Sequence, residues 1–396
     1  MRPLRLSQFT MVTALGAGLE PTIAALRAGR SGLAAREFGG GLATCVGEVE
    51  ALDNIRLDDG LTKFDCRNNR LASFTLGQDG FSTAVAAARD RYGAERIGVF
   101  LGTSTSGIQH TEAAYGRRDP ETGALPADYH YAETHNTFSV ARLVAHLLGL
   151  EGPAFVVSAA CATTAKVFGN AARMIAAGLC DAAVVGGADS LCATTLYGFR
   201  SLGLLAEGPC RPFDASRDGI SIGEAAGFAL LEKTEARARS EDILLLGFGE
   251  SSDAYHMSTP DPEGQGARLA MERALATAGL AAPDIDYVNL HGTATPTGDA
   301  AEDRAISAVF GDATPCSSTK GHTGHTLGAA GIVEAIICAL ALRHGLMPGS
   351  PHTRQLDPTL RSHYFTTASS ASLSHVMSNS FGFGGSNCSL VFGRAS

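Results

Sequence analysis

One cysteine of the sequence lies where a buried strand gives way to a helix. Cys161 ends the run VVSAAC, in which a short apolar strand is followed by a turn of small residues. We predict that a helix begins at about Cys161, so that the positive end of its dipole favours the thiolate and a free backbone N–H can bind an oxyanion. The other eight cysteines are expected to be small buried residues. Cys161 is therefore the candidate nucleophile.

Two histidines lie in loops rich in glycine and threonine. His291 opens the loop HGTATPTGD directly after an apolar strand, and His325 lies in STKGHTGHTLGAAG just before an alanine-rich helix. A helix N-terminus lowers the pKa of a nearby histidine, and a neutral imidazole can donate a hydrogen bond to a developing enolate. A cysteine with two such partners predicts thiol-dependent acyl transfer.

Three further polar residues lie close to His325 in the sequence. His322 and His325 are three residues apart and could form a metal pair, but H-E-x-x-H is absent and no third ligand is near, so we expect no metal. Glu334 lies in an apolar helical stretch, where a carboxylate needs a partner. Lys320 is the candidate partner, although it could instead be a solvated surface residue.

Short apolar runs alternate with alanine-rich helical stretches along the chain. We predict strands at 97–102, 154–157, 182–187, 243–247 and 287–290. We predict helices at 81–91, 137–148, 162–178, 266–278 and 300–310. The alternation indicates an α/β fold whose sheets are mostly buried. The charged stretch Glu232–Glu241 predicts two halves, 1–241 with Cys161 and 242–396 with both histidines, unless it is an exposed helix within one domain.

The bulk composition limits the class of protein. With 45% hydrophobic and 18% charged residues the chain is globular, and a net charge of −9 makes nucleic acid an unexpected partner. Nine cysteines without C-x-x-C spacing indicate reduced thiols in the cytoplasm. Because no signal-peptide core and no membrane-spanning run is recognisable, we expect a soluble protein without membrane association.

Taken together, these segments resemble the elongating β-ketoacyl-acyl carrier protein synthases, the Cys-His-His members of the thiolase-like superfamily. The resemblance implies the thiolase fold, with two similar α/β halves in a five-layer αβαβα arrangement, and no cofactor. The segments that carry it are MVTALG (11–16), ACAT (160–163), RPFDASRDG (211–219), GEAAG (223–227), DAYHM (253–257), HGT (291–293), KGHTGH (320–325) and NSFGFGGSN (379–387).

The resemblance also implies roles for individual residues. Cys161 would take an acyl group from an acyl carrier protein, and His291 and His325 would stabilise the enolate formed when malonyl-carrier protein loses CO₂. The backbone N–H groups of Cys161 and Phe383 would form the oxyanion hole, and Phe383 would gate the pocket. Lys320 and Glu334 would hold the polar network around His325.

Other residues are implied to bind the substrate or the carrier protein. The substrate-binding set is Thr293, Thr295, Phe381, Thr105, Ile108 and His256. A basic residue that helps carrier docking in fatty-acid members is replaced by Leu205. Lys63, Arg67 and Arg70 fall at helical spacing and could supply the docking patch, or they could be an ordinary solvated face. We expect a homodimer, or a heterodimer with a related subunit, in fatty-acid, polyene or polyketide synthesis.

Three alternatives share the same fold. A chain-length-setting subunit would lack the nucleophile, and a malonyl decarboxylase would carry Gln in place of Cys161. A degradative thiolase needs a second active-site cysteine in the C-terminal glycine loop, but Cys388 lies beyond those glycines. The intact Cys161, His291 and His325 favour the condensing enzyme.

Overall fold

The protein was analysed as a computed structural model, which describes residues 1–234 and 241–395. The strands of the N-terminal half are β1 (Leu4–Thr13), β2 (Gly16–Ala17), β3 (Leu33–Phe38), β4 (Leu42–Gly47), β5 (Ile97–Gly102), β6 (Ala154–Val157), β7 (Ala182–Asp189) and β8 (Ala225–Lys233). Its helices are α1 (Leu19–Arg27), α2 (Arg67–Leu76), α3 (Phe81–Tyr92), α4 (Ile108–Gly116), α5 (Ser139–Leu148), α6 (Thr163–Ala176) and α7 (Ala193–Ser201).

The C-terminal half has a similar succession of strands and helices. Its strands are β9 (Ile243–Ser252), β10 (Tyr287–Asn289), β11 (Cys316–Ser317), β12 (Leu346–Met347), β13 (Ser369–Ser370), β14 (His375–Gly382) and β15 (Ser386–Arg394). Its helices are α8 (Gln265–Ala278), α9 (Pro296–Phe310), α10 (Lys320–Thr323) and α11 (Ala330–His344). Short 3₁₀ turns at Leu327–Ala329 and Phe383–Gly385 lie beside the site described below.

The main sheet repeats one strand order in the two halves. The N-terminal strands run β6-β5-β7-β8-β1 and the C-terminal strands run β11-β10-β14-β15-β9. In each half the first strand along the chain, β1 or β9, lies at the edge that faces the other half. The inner edges meet where β1 and β9 pair antiparallel, at Leu4–Leu245 and Arg5–Leu244. The prediction of two similar α/β halves is therefore confirmed.

Helices cover both faces of each sheet and complete five layers. Helices α2, α3 and α5 pack on the outer face of the N-terminal strands, and α8 and α9 pack on the outer face of the C-terminal strands. Helices α6 and α11 lie between the two halves of the main sheet, in the largest apolar cluster. Both inner helices are therefore buried, and each begins beside a predicted reactive residue.

Small residues let the two inner helices approach closely. A Cβ atom on Gly331 of α11 would lie 2.4 Å from the backbone nitrogen of Ala165 in α6. This contact fixes the start of one helix against the start of the other. The apolar stretch Leu327–His344 has the length and composition of a membrane span, but 89% of it is buried inside the protein, as expected for the core helix of a folded domain.

Most elements lie where the sequence predicts them. The predicted strands 97–102 and 154–157 are confirmed to the residue, and the helix predicted from 162 begins at Thr163. All nine cysteines are free and all except Cys45 are buried, as expected. Six residues of the charged stretch between the halves, 235–240, lie outside the described residues.

Candidate active site

A sharp turn between β6 and α6 presents Cys161. Ala160 has a φ of +48°, a left-handed conformation that is uncommon for a residue with a side chain. Thr163 stabilises the turn: its hydroxyl accepts a hydrogen bond from the Ala159 N–H (2.7 Å) and donates one to the Ala160 carbonyl (2.6 Å). Cys161 therefore lies two residues before the helix, at the end of a strained turn.

The two predicted histidines meet Cys161 although they are distant in sequence. The His325 Nε2 atom lies 3.1 Å from the Cys161 Sγ atom. The rings of His291 and His325 are nearly perpendicular, at 85°, with centroids 5.3 Å apart. One ligand-type atom from each of the three residues lies within 4.8 Å of the others, the only such group of three among the described residues. The structure thus brings the predicted triad together.

Hydrogen bonds to Nδ1 set the tautomer of both histidines. The Leu327 N–H donates to His325 Nδ1 at 3.2 Å, and the Lys320 ammonium lies 3.3 Å from His291 Nδ1. Each contact leaves the ring proton on Nε2. Burial, followed by the nearby Lys320 charge, lowers the pKa of both rings well below the usual range. The predicted neutral form of His325 is supported, but burial is its main cause.

The state of the nucleophile differs from the expectation. Burial raises the pKa of the Cys161 thiol to about 11, although the Lys320 charge and the Phe383 backbone N–H both lower it. Burial therefore opposes the thiolate that the position near a helix start was expected to favour, since Cys161 is only 5% exposed. The raised pKa favours the thiol over the thiolate, and His325 Nε2 lies within hydrogen-bond distance of the sulfur.

Lys320 and Glu334 form a buried ion pair beneath the histidines. The Lys320 ammonium donates to Glu334 Oε1 and to the His291 carbonyl oxygen. Both side chains are almost fully buried. Burial raises the pKa of Glu334 to about 7, and Lys320 opposes that rise. The predicted partnership is confirmed, and the alternative of a solvated Lys320 is wrong.

The C-terminal glycine loop closes over the nucleophile. A Cβ atom on Gly382 would lie 3.2 Å from the Cys161 nitrogen, so glycine lets this loop approach the nucleophile turn. The next backbone N–H, that of Phe383, points at the Cys161 sulfur. The Phe383 ring packs against Phe199 of α7 with ring centroids 5.5 Å apart. These contacts suit the expected oxyanion hole and gate.

A pocket lined by Cys161 and both histidines contains three of the six predicted substrate-binding residues. Thr293, Thr295 and Phe381 line it together with the triad. Thr105, Ile108 and His256 are not among the lining residues. Thr105 bonds to the buried Asp189 through both its backbone N–H and its hydroxyl. Ile108 opens α4, and His256 is exposed and accepts a hydrogen bond from the Ser258 N–H.

The predicted docking patch does not form one basic face. Arg67 points inward and pairs with the buried Glu224 at 2.5 Å, and Arg70 pairs with Asp65 at 2.5 Å. Lys63 is exposed but lies in a preceding 3₁₀ turn, outside α2. The prediction of a shared basic face from helical spacing is wrong, because carboxylates of the same chain pair with two of the three basic residues.

His322 serves as a structural anchor in place of a metal ligand. Its Nδ1 lies 2.7 Å from the Arg30 carbonyl oxygen and its Nε2 lies 3.1 Å from that of Gly349. Burial lowers the pKa of His322, so the neutral ring donates to one carbonyl at a time. The ring thereby lies between two distant loops and ties α10, which carries Lys320, to the loop whose carbonyl accepts its N–H.

Sequence reasoning missed a buried carboxylate behind His291. Glu302 of α9 accepts the His291 and Gly292 N–H groups at 2.8 and 2.7 Å, and burial raises its pKa to about 7. Its position about two helical turns after the N-cap residue Thr295 was the available signal. Glu302 fixes the backbone from which the His291 ring projects.

Comparison with known proteins places this arrangement in a family. Models of the N-terminal and C-terminal domains of beta-ketoacyl synthases match residues 73–237 and 244–354. A 3-oxoacyl-[acyl-carrier-protein] synthase 2 from Vibrio cholerae is 35% identical over 97% of both chains. The chain belongs to the beta-ketoacyl synthase family. The thiolase-like fold expected from the sequence is confirmed with it.

Solved structures agree along the whole length of the chain. A chain from the complex of a ketosynthase with its chain length factor, from Xenorhabdus doucetiae, has a TM-score of 0.91 and 40% identity and covers 100% of this chain and 98% of its own. The ishigamide ketosynthase/chain length factor has a TM-score of 0.89 and 30% identity, with both chains fully covered. These beta-ketoacyl synthase relatives therefore share the complete two-half architecture.

Proposed function

We propose that this beta-ketoacyl synthase condenses malonyl-carrier protein with an acyl group held on Cys161, and so extends the acyl chain by two carbons. The observation that carries the proposal is the meeting of the Cys161 sulfur with two neutral histidines within 4.8 Å. A nucleophile beside two N–H donors suits a reaction that passes through an acyl-enzyme and an enolate.

The proposed reaction has two parts. Cys161 sulfur attacks the acyl thioester, its proton passes to the departing carrier thiol, and the acyl group is left on the enzyme. Malonyl thioester then loses CO₂, and the electrons of the broken C–C bond enter an enolate held by the Nε2–H groups of His291 and His325. The enolate carbon attacks the acyl carbonyl, and the bond to the Cys161 sulfur breaks to give the β-ketoacyl thioester. The sulfur leaves as a thiolate and takes a proton from water, which restores the thiol.

Neighbouring groups supply the electrostatics of each part. The backbone N–H groups of Cys161 and Phe383 would hold the oxyanion formed when the acyl carbonyl is attacked. Lys320 keeps the His291 proton on Nε2, and Glu334 balances the Lys320 charge. The Thr293 and Thr295 hydroxyls, 2.9 Å apart in the pocket, would bind the thioester-bearing arm.

We infer that the partners are acyl carrier protein and a second subunit. The names of two relatives refer to an acyl carrier protein and to a chain length factor. The edge strand β6 supports a second subunit, because its four apolar residues are only half-buried and its outer edge is free to pair among the described residues. Nine free thiols favour a cytoplasmic location. Family models that meet between 237 and 244 support a boundary at 241/242.

A reconstituted condensation tests the proposal. Purified protein is mixed with acyl-carrier protein and malonyl-carrier protein, and the carrier-bound product is weighed by mass spectrometry. We expect a β-ketoacyl product two carbons longer with wild type and with Cys45→Ser, which removes the least buried thiol. Cys161→Ala should give none. A product from Cys161→Ala would refute the proposal. Activity only after a related subunit is added would identify the protein as half of a heterodimer.

A further inference from the structure

A buried aspartate that the reaction does not use bonds to the loop that follows His325. Asp189 ends β7 and has no solvent exposure. Its Oδ1 atom accepts hydrogen bonds from the Thr103 hydroxyl (2.7 Å), the Ser104 N–H (2.8 Å) and both donors of Thr105 (2.8 and 2.9 Å). Its Oδ2 atom accepts the Gly328 N–H, which belongs to the other half of the chain. One carboxylate thus joins the N-terminal sheet to the loop that carries His325.

The carbonyl group of the same residue, Gly328, is held by a residue of the nucleophile helix. The Thr164 hydroxyl donates to the Gly328 carbonyl at 2.6 Å and accepts the Ile332 N–H at 2.9 Å. Gly328 is enclosed on the remaining side, because a Cβ atom there would lie 2.5 Å from the Ser104 hydroxyl and 2.8 Å from Asp189. Both the N–H and the carbonyl group of Gly328 are therefore held by buried side chains.

The way in which Gly328 is held determines where the backbone N–H of the preceding residue, Leu327, points. Leu327 has a φ of +54°, a strained conformation that persists only where neighbouring contacts enforce it. In this conformation its N–H meets His325 Nδ1. Without the contacts at Gly328 the backbone of Leu327 can relax and carry its N–H away from the ring. The His325 proton would then be free to move from Nε2 to Nδ1.

We propose that Asp189 and Thr164 are positioning residues for His325, which hold the Gly328 peptide and, through Leu327, keep the imidazole proton on Nε2. The inference deepens the proposed function, because it assigns the groups that make one histidine a donor toward the enolate. Asp189→Asn keeps one side-chain oxygen for the four donor groups of residues 103–105, but it turns an NH₂ group toward the Gly328 N–H. A valine at 164 removes the hydroxyl while nearly keeping the shape.

The test compares four variants of the full chain in two assays. Asp189→Asn and Thr164→Val remove the two contacts, and Thr164→Ser restores a hydroxyl. Asp303→Asn is the matched control, since Asp303 is also buried and accepts backbone N–H groups, from Arg361 and Ser362. The first assay reads the tautomer of His325 from the ¹⁵N shifts of labelled imidazole. The second measures kcat and KM for CO₂ release from malonyl-carrier protein.

We expect Asp189→Asn and Thr164→Val to show protonated Nδ1 on His325 and to lose about 10- to 100-fold in kcat, as for outer partners of other functional histidines, with a smaller change in KM. Thr164→Ser and Asp303→Asn should resemble wild type in both assays. A wild-type tautomer in Asp189→Asn and Thr164→Val would overturn the inference, as would an equal kcat loss in Asp303→Asn. If wild type releases no CO₂, the proposed function fails, and the ¹⁵N shifts still decide the inference.

Discussion

Replacing Lys320 by methionine, alone or together with Glu334, distinguishes the contribution of the buried ion pair to catalysis from its contribution to stability. Its ammonium group touches Glu334, the His291 carbonyl oxygen and His291 Nδ1. The variant Lys320→Met loses all three contacts and leaves the Glu334 carboxylate without a cation. The double variant Lys320→Met/Glu334→Leu removes the pair altogether and fills the space with apolar groups.

The two variants should differ in stability and agree in activity. Removing one partner of a buried ion pair costs about 3–5 kcal/mol, because the other charge remains buried, whereas replacing both partners is often neutral. The single variant should therefore lose that amount and the double variant should regain most of it. Both lack the group that fixes the His291 tautomer, so both should lose about 10²- to 10⁴-fold in the rate of CO₂ release.

Urea unfolding gives the stabilities, and CO₂ release from malonyl-carrier protein gives the rates. The reasoning is refuted if the double variant recovers activity together with stability, because Lys320 would then act only through packing. It is equally refuted if the single variant keeps wild-type stability, because Glu334 would then not depend on a cation.

Three further predictions concern pH and packing. Because the pKa values of His291 and His325 are lowered well below 6.5, the ¹⁵N shifts of both rings should stay those of neutral imidazole as the pH falls from about 8 to about 6; a ring that becomes protonated near pH 6.5 would contradict the neutral triad. Gly331→Ala should lower the free energy of unfolding in urea by about 1–3 kcal/mol, since its Cβ atom would lie 2.4 Å from a backbone nitrogen of α6. The control Gly198→Ala lies in the exposed helix α7, where a Cβ atom would have no neighbour within 4 Å, and should raise it by about 0.5–1 kcal/mol. Equal changes in stability for the two variants would argue against the close crossing of α6 and α11. Because the folded pKa of His322 is lowered, its neutral ring stabilises the fold above the unfolded pKa of about 6.5, and this stabilisation is lost as the pH falls. The destabilisation caused by His322→Gln should therefore be largest near pH 8 and shrink by up to about 1.4 kcal/mol per pH unit below pH 6.5. A destabilisation that grows toward acid pH would indicate a charged ring.

The parts of the site that follow local pattern could be predicted from the sequence. Cys161, His291 and His325 each follow a strand or precede a helix, so their place at the ends of elements was readable. The pairing of Lys320 with Glu334 followed from the cost of burying a lone carboxylate in an apolar helix. The repeated alternation of strands and helices indicated the α/β class, and resemblance supplied the five layers.

The parts that depend on packing between distant segments could not be predicted. Asp189 and Gly328 are 139 residues apart, and only the folded chain shows that they bond. Arg67 looked like part of a basic helical face, but its partner Glu224 lies 157 residues away. Helix position alone suggested a reactive thiolate at Cys161, whereas the depth of burial, a property of the whole fold, raises its pKa.

The most direct test of the central claim is to locate the acyl group on the enzyme. The protein is incubated with acyl-carrier protein alone, digested, and searched by mass spectrometry for the peptide that carries the acyl mass. The account predicts a thioester on the peptide containing Cys161, present in wild type and discharged when malonyl-carrier protein is added. An acyl group on any other residue, or an acyl-Cys161 that malonyl-carrier protein does not discharge, would contradict it.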